Sequence, residues 1–281
     1  MATVKTVPFE VAGQDGGPLR GEVRTVGTGS GRPAVILCHG FKGFKDWGFF
    51  PILAQRVANA GITTVAFNFS GSGVGPDGET FSEPERFGHA THSGDLKDVE
   101  IVIRALRNGG LAGVAPPRRL GLFGHSRGGG TAILAAAADE EITTLVTWSA
   151  IATVHRWPQE RIDEWETDGR IDIVNARTGD VLPLYRDLLD DIRAHGSDRL
   201  DILAAAGRIE RPWLIVHGEQ DESVPALDAM KLSEAAGSQT QLQIVEGGSH
   251  TFGARHPWAG GTPELDHAMD LTAGWFSRHL S

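Results

Sequence analysis

Short apolar runs rich in β-branched residues alternate along the chain with longer segments in which apolar residues recur every three or four positions. This alternation predicts a mostly parallel β-sheet covered by helices. Unbroken apolar runs are typical of strands that are buried on both faces. The predicted strands span residues 33–38, 62–67, 119–123, 142–148, 213–217 and 241–245, and the predicted helices span residues 50–60, 94–107, 126–138, 226–236 and 263–279.

Two segments depart from the alternation. Residues 3–11 and 19–26 flank the turn-like AGQDGGP and predict a leading antiparallel hairpin. About sixty residues separate the fourth and fifth predicted strands, which is too many for one crossover helix. Within them, two apolar runs around ARTGD predict a hairpin, and YRDLLDDIRAH predicts an amphipathic helix. We expect a cap over the carboxyl ends of the parallel strands. The predicted division is a core of residues 1–151 and 208–281, and an inserted cap of residues 152–207.

Composition limits the classes of partner. The formal charge of −10 is spread over 281 residues without a basic block, which argues against nucleic acid. No apolar run approaches the roughly 18 residues of a membrane span. The N-terminus lacks the apolar stretch of a secretory signal, and the single cysteine, Cys38, has no internal partner for a disulfide. We therefore expect a soluble cytoplasmic protein.

A serine lies at one predicted junction between a strand and a helix. Gly124, Ser126 and Gly128 form G-x-S-x-G, and this context favours a sharp, strained turn that exposes the serine hydroxyl. The helix N-terminus also favours negative charge on a reacting group. The alternative is a serine that caps a helix beside glycines required by a tight turn. The presence or absence of a base and a carboxylate elsewhere in the chain distinguishes a reactive serine from a capping serine.

A serine nucleophile needs a base and a carboxylate, which follow it along the chain in sheet enzymes of this type. Asp221 lies four residues beyond the fifth predicted strand, and His250 lies five residues beyond the sixth. Both loops leave the same sheet edge as Ser126. Glu219 and Glu222 compete with Asp221 for the acidic role, and spacing does not separate them. We favour Asp221 because a short side chain suits a fixed turn.

Acyl transfer also requires donors for an oxyanion. The backbone N–H groups of Arg127, after the serine, and of Phe41, in the loop HGFKGF, are the predicted donors. The alternative for HGFKGF is a glycine-bearing strand exit. We interpret His39 as a residue that shapes this loop by hydrogen bonding.

Other candidates concern the substrate and metals. Trp148 ends a strand beneath the predicted cap, and we expect it and Phe252 to contact substrate, with simple packing as the alternative. His89, His92 and Asp95 offer metal-ligand side chains, but GHATHSGDLKD is more typical of a loop that leads into a helix. We expect neither a metal nor an organic cofactor.

Four motifs follow one another in the order and at the separations found in the α/β-hydrolase superfamily: HGF, GHSRGG, HGEQDESVP and GGSH. From Pro33 onward the chain resembles the branch related to dienelactone hydrolases and cinnamoyl or feruloyl esterases. The resemblance implies an α/β-hydrolase fold, with an eight-stranded sheet whose second strand is antiparallel, a compact hairpin-and-helix cap, and a serine esterase. Dienelactone hydrolases use a cysteine where this chain has Ser126, so that activity is not expected.

These observations predict a carboxylic ester hydrolase for small to medium ester substrates, including aromatic acyl esters. Ser126 is the predicted nucleophile, His250 the base and Asp221 the residue that orients it. Two alternatives stay open: a serine peptidase for short peptides, and a non-catalytic small-molecule binding protein with the same fold. A monomer and a homodimer are both compatible with the sequence.

Overall fold

The computed structural model describes residues 3–27, 31–175 and 179–281. In these ranges the strands are β1 (Val4–Ala12), β2 (Pro18–Val26), β3 (Ala34–Cys38), β4 (Thr63–Phe67), β5 (Leu120–His125), β6 (Ile142–Trp148), β7 (Arg170–Val174), β8 (Val181–Tyr185), β9 (Trp213–Gly218) and β10 (Thr240–Val245). The helices are α1 (Phe50–Asn59), α2 (Pro84–Gly88), α3 (His92–Arg107), α4 (Arg127–Ala138), α5 (Gln159–Asp168), α6 (Asp187–His195), α7 (Ile202–Ala206), α8 (Ala226–Ala235) and α9 (Pro263–Leu280).

Eight strands form one sheet in the order β1-β2-β4-β3-β5-β6-β9-β10. Strand β2 is antiparallel to both of its neighbours, whereas β4 and the strands beyond it pair in parallel. The expected fold class is confirmed. The chain order changes direction at β3, which has β4 on one side and β5 on the other. Open α/β sheets bind ligands at such a switch point, outside the carboxyl ends of the strands.

Strands β3, β4, β5 and β9 are buried along their whole length, as their unbroken apolar runs predict. Their side chains belong to two separate apolar clusters, one on each face of the sheet. One contains residues of α3, α4, α7 and α8, and the other contains residues of α1 and α9. Since successive strand residues point to opposite faces, each strand contributes to both clusters.

The segment between β6 and β9 contains α5, the antiparallel pair β7–β8, α6 and α7. The hairpin and α6 agree with the predicted elements, although positions 176–178 of the ARTGD turn lie outside the described residues. Helix α5 was not predicted, because its sequence QERIDEWETD buries only Trp165. Helix α7 packs against α4 and α8, so this end of the segment is part of the core.

The region between β4 and α3 contains further elements that the periodicity did not reveal. These are a 3-10 turn at Ser70–Ser72 and the short helix α2. Helix α3 begins at His92, two residues before the predicted start, because the Thr91 side chain accepts a hydrogen bond from the Gly94 N–H and caps it. No helix in the described ranges is long and apolar enough to cross a membrane.

The first prediction concerns Gly128, where α4 crosses β3. A Cβ there would lie 2.2 Å from the carbonyl oxygen of His39 and 2.5 Å from that of Cys38. Because backbone atoms cannot move aside cheaply, we expect Gly128→Ala to lower the free energy of unfolding by about 3 kcal/mol or more. Urea unfolding measures the change.

Gly274→Ala provides the matched control. A Cβ at Gly274, in the interior of α9, meets no atom within 4 Å. There the substitution should raise the free energy of unfolding by about 0.5–1 kcal/mol, because alanine favours helix more than glycine does. Equal effects of the two substitutions would contradict the close approach of α4 to β3.

Candidate active site

Ser126 lies between β5 and α4 in a backbone conformation that side chains rarely adopt, with φ 57° and ψ −122°. Such a conformation costs about 1–3 kcal/mol and persists only where the surroundings enforce it. Here the Ser126 N–H donates to the Trp148 carbonyl (2.9 Å), and the Ser126 carbonyl accepts from the Gly129 N–H (3.0 Å). The predicted turn is therefore present, with the serine half-buried beside a cavity.

Asp221 and His250 lie in direct contact. The two carboxylate oxygens of Asp221 are 3.0 and 2.9 Å from Nδ1 of His250. The backbone N–H groups of Ser223 and Val224 donate to Oδ1 of Asp221 at 2.9 and 2.8 Å. The Asp221 side chain is fully buried, so the turn holds its carboxylate in one orientation.

The competing glutamates bind backbone groups instead. Glu222 accepts a hydrogen bond from the backbone N–H of His250 (3.3 Å), and Glu219 accepts one from the N–H of Gly247 (3.1 Å). Both bridge the same two loops without a bond to the imidazole. Among the three candidates, the structure brings Asp221 to the ring of His250.

The charge state of Asp221 follows from these contacts. Burial raises the pKa of the Asp221 carboxyl, but hydrogen bonds from His217 and His250 outweigh it and hold that pKa well below its ordinary value. An ionised carboxylate only accepts hydrogen bonds, so Nδ1 of His250 carries a proton. In the neutral ring, Nε2 is then left as the acceptor.

His217 is a contact of Asp221 that the sequence reasoning missed. Its Nε2 lies 2.8 Å from the carbonyl oxygen of Val224 and 3.3 Å from Oδ2 of Asp221. Because the carbonyl can only accept, Nε2 carries the proton and also points a donor at the carboxylate. The signal was its position, four residues before the acid.

His125 connects the serine turn to the loop of His250. Its Nε2 donates to the backbone carbonyl of His250 (2.9 Å), and the two rings lie 4.7 Å apart. Burial lowers the pKa of His125 to about 3, so this ring is neutral. The hydrogen bonds in the described ranges do not include one between Ser126 Oγ and His250. The loop of His250 is thus fixed beside the serine, although the described contacts include no hydrogen bond between the two side chains.

The loop after β3 packs against the serine. A Cβ at Gly40 would lie 3.0 Å from Cβ of Ser126, closer than ordinary van der Waals contact, so glycine permits this approach without displacing the serine. His39 shapes the loop as expected: its Nδ1 donates to the Gly40 carbonyl (2.9 Å), and its Nε2 accepts from the Phe69 N–H (3.2 Å). Burial lowers the pKa of His39 to about 4, which keeps this arrangement neutral.

Two backbone donors are available beside Ser126. Over the ranges that the structure covers, the N–H groups of Phe41 and Arg127 have no acceptor. The Arg127 side chain also connects the two segments, because its Nε donates to Asp95 (2.6 Å) and its guanidinium carbon lies 5.7 Å from the Phe41 ring centroid. Burial raises the pKa of Asp95 to about 6, against the opposing effect of Arg127.

A cavity of about 230 Å³ opens beside Ser126. Its walls are mainly apolar, with four further polar residues. The lining residues are Phe41, His92, Ser126, Arg127, Ile151, Val154, Arg156, Trp157, Leu188, Ser223 and Val224.

Trp148 and Phe252 do not line this cavity, and the structure corrects their predicted contact with substrate. Both side chains are 0% exposed. Trp148 points to the face of the sheet covered by α1 and α9, where its Nε1 donates to Thr272 (2.8 Å) and its ring meets Phe252 at 5.2 Å. Strand-end position alone does not determine which face a side chain occupies.

The side chains considered as metal ligands contact other residues. His89 contacts Asp187 (3.2 Å), and Asp95 is paired with Arg127. In residues 3–27, 31–175 and 179–281, no group of three or more His, Cys, Asp or Glu side chains is arranged to hold a metal ion.

Comparison with known proteins identifies the family. The profile described as the alpha/beta hydrolase family matches residues 35–260. The chain belongs to the alpha/beta hydrolase family. The match includes the loop of Phe41, the turn of Ser126, and both Asp221 and His250.

Individual relatives are distant. This α/β hydrolase is 22% identical over 240 residues to the 2,6-dihydropseudooxynicotine hydrolase of Paenarthrobacter nicotinovorans, covering 84% of this chain and 57% of that one. It is 31% identical over 120 residues to a 31.7-kDa Escherichia coli protein of the traX–finO intergenic region, covering 43% of this chain and 38% of that protein. The matched regions thus span well under two thirds of either relative.

Solved structures share the fold over nearly the whole length. Est1E from Butyrivibrio proteoclasticus, with ferulic acid bound, superimposes with a TM-score of 0.68 at 18% identity, covering 98% of this chain and 96% of that one. At this identity the likeness concerns the fold.

The second prediction tests the position of Trp148. Trp148→Phe removes the bond to Thr272 and leaves unfilled space, so we expect the free energy of unfolding to fall by about 1–3 kcal/mol. The matched substitution Trp157→Phe changes a half-buried cavity residue and should cost under about 1 kcal/mol. Denaturant unfolding compares the two, and a larger loss for Trp157→Phe would contradict the assignment.

Proposed function

We propose that this α/β hydrolase is a serine carboxylesterase for small to medium esters. The observation that carries the proposal is the pairing of ionised Asp221 with Nδ1 of His250, in a loop bonded to the neighbour of Ser126. This pairing leaves Nε2 of His250 as a proton acceptor. A strained, half-buried serine with two unused backbone donors beside it completes the requirements of acyl transfer.

In the first half of the proposed reaction, Ser126 Oγ attacks the ester carbonyl carbon while Nε2 of His250 takes its proton. The carbonyl π electrons move to oxygen, and the N–H groups of Phe41 and Arg127 bind the resulting oxyanion. Asp221 stabilises the imidazolium that forms. When the tetrahedral intermediate collapses, the C–O bond to the alcohol breaks and the alcohol leaves with the proton from His250.

The second half repeats these steps with water. His250 removes a proton from water, whose oxygen attacks the acyl carbon of the Ser126 ester. Collapse of this intermediate breaks the bond to Ser126 Oγ, which regains the proton from His250. The acid is released and the enzyme returns to its starting state, without a redox step or an added group.

The segment 152–207 is the proposed cap, and its contacts support a role in substrate binding. Trp157 and Leu188 from this segment line the cavity, and Tyr185 Oη donates to Glu85 of α2 (3.0 Å). Because α7 packs against α4 and α8 of the core, we narrow the proposed cap to the part of this segment that precedes Ile202. A mainly apolar cavity of about 230 Å³ suits acyl groups of modest size. The ferulic acid bound by Est1E supports aromatic acyl groups among them.

The third prediction tests the nucleophile. Ser126→Ala should reduce turnover of p-nitrophenyl butyrate by about 10⁶-fold, because the other groups act through the serine. A fluorophosphonate probe should label the wild type and not this variant. Ser223→Ala, which removes another hydroxyl of the same cavity, should retain the label.

Two results would refute the proposed function. Faster turnover of aminoacyl p-nitroanilides than of p-nitrophenyl esters would favour a peptidase. Failure of the wild type both to hydrolyse esters and to react with the probe would favour a binding protein.

The fourth prediction concerns His217, which acts through Asp221. His217→Leu removes a donor from the carboxylate, so the charge of Asp221 stabilises protonated His250 more strongly. The acid limb of the pH profile of kcat/KM should therefore move to higher pH, by about half a unit or more. His217→Gln, whose amide can donate to the same oxygens, should restore much of the wild-type profile.

Trp213→Phe is the control for His217, because it removes a buried donor from the other end of β9. Its Nε1 donates to Thr147 (3.0 Å), away from the loop of Asp221. The control should lower the free energy of unfolding and leave the acid limb unchanged. If the acid limb of the kcat/KM profile does not shift in His217→Leu, the prediction is contradicted and His217 serves only in packing.

A further inference from the structure

His92 is a buried polar side chain in the cavity wall that has no hydrogen-bond partner among the described residues. It is 7% exposed and lines the same cavity as Ser126. Within the described ranges, neither of its ring nitrogens forms a hydrogen bond. The two arginines of the cavity differ in this respect, because Arg127 binds Asp95 and Arg156 binds both Asp228 and the carbonyl of Ser223.

The ring of His92 is neutral. Burial and the charge of Arg127 lower the pKa of His92 well below its ordinary value. A neutral imidazole has one N–H donor and one nitrogen acceptor. Neither capacity is used by another described residue, so both are available to a ligand or water in the cavity.

The backbone around His92 is held on both sides. Thr91 Oγ1 accepts from the Gly94 N–H (2.9 Å), which fixes the first turn of α3. The N–H and the hydroxyl of Ser93 both bind the carboxylate of Asp191, in α6 of the inserted segment. His92 is therefore presented to the cavity by a rigid element, as required of a group that recognises one feature of a ligand.

We propose that His92 determines specificity by hydrogen bonding to a hydroxyl group on the acyl part of the substrate. This inference rests on the proposed esterase function. A hydroxyl both donates and accepts, as neutral imidazole does. Arg127 and Arg156 are each paired with a carboxylate, so the wall has little net charge to favour either a cationic or an anionic substituent over a neutral hydroxyl.

The rest of the cavity determines what carries the hydroxyl. Phe41 and Trp157 contact each other edge to face with ring centroids 6.3 Å apart, and aliphatic side chains form the remaining apolar wall. A compact apolar body therefore fits the space between Ser126 and His92. The substrate class is an ester of a hydroxylated, otherwise apolar acid.

The fifth prediction uses matched esters that differ only by a hydroxyl or a methyl group. We expect the wild type to hydrolyse methyl 3-hydroxybenzoate or methyl 4-hydroxybenzoate with kcat/KM about tenfold or more above that for the corresponding methylbenzoate. His92→Phe keeps a ring of similar shape without nitrogens and should abolish this preference, whereas His92→Gln should retain part of it. His155→Phe, which changes an exposed histidine outside the cavity wall, should leave the preference intact.

Binding to Ser126→Ala separates this inference from the proposed function. Calorimetry measures binding of the same intact esters to Ser126→Ala, which cannot cleave them. The hydroxylated ester should bind about tenfold or more tightly than its methyl counterpart. This preference should be lost in the double variant Ser126→Ala/His92→Phe. If this preference is present while the wild type hydrolyses no ester, the esterase proposal fails and the His92 subsite stands. Three results would overturn the subsite. The hydroxyl and methyl esters could bind equally, or the preference could survive His92→Phe. Monomethyl terephthalate could also bind more tightly than either hydroxybenzoate ester.

Discussion

The close approach of α4 to the end of β3 is the constraint on which the site depends. Gly128 lets the helix begin against the carbonyls of Cys38 and His39, and Gly40 lets the following loop contact Ser126. These two approaches bring the loop of Phe41 and the start of α4 to one serine. The strained conformation of Ser126 is maintained because its N–H and carbonyl are both bonded within this junction. In the reaction that we propose, fixed backbone donors of these two segments stabilise developing charge without reorganisation.

Charges around the serine are balanced at short range. Arg127 is paired with Asp95, the exposed Arg156 with Asp228, and Asp221 with the donors of two histidines. Breaking a buried pair such as Arg127–Asp95 leaves an uncompensated buried charge, which is strongly unfavourable. His39 and His125 are held neutral by burial and serve as fixed hydrogen-bonding groups. Among the histidines around the serine, His250 combines a carboxylate partner with a partly exposed ring.

Much of this arrangement can be predicted from the sequence because it follows from local rules. The unbroken apolar runs predicted the strands of the sheet, and the chain order of Ser126, Asp221 and His250 predicted which loops meet. The choice of Asp221 over Glu219 and Glu222 rested on side-chain length, and the structure brings Asp221 to the imidazole. Helix α5 escaped notice because its residues are mostly polar and its position depends on one buried tryptophan, Trp165.

The incorrect expectation for Trp148 has a structural cause that also explains which residues form the cavity wall. A strand end presents adjacent side chains to opposite faces of the sheet, and Trp148 lies on the face closed by α1 and α9. Around Trp148 that face is filled by the aromatic rings of Phe49, Phe123 and Phe252. The other face has α3 and the inserted segment above it, so the cavity wall is formed by residues such as His92 and Trp157, which lie far from the motifs in sequence. Motifs with fixed spacing therefore indicate the proposed chemistry, whereas the cavity wall is formed by a helix terminus and an insertion whose juxtaposition only the folded chain reveals.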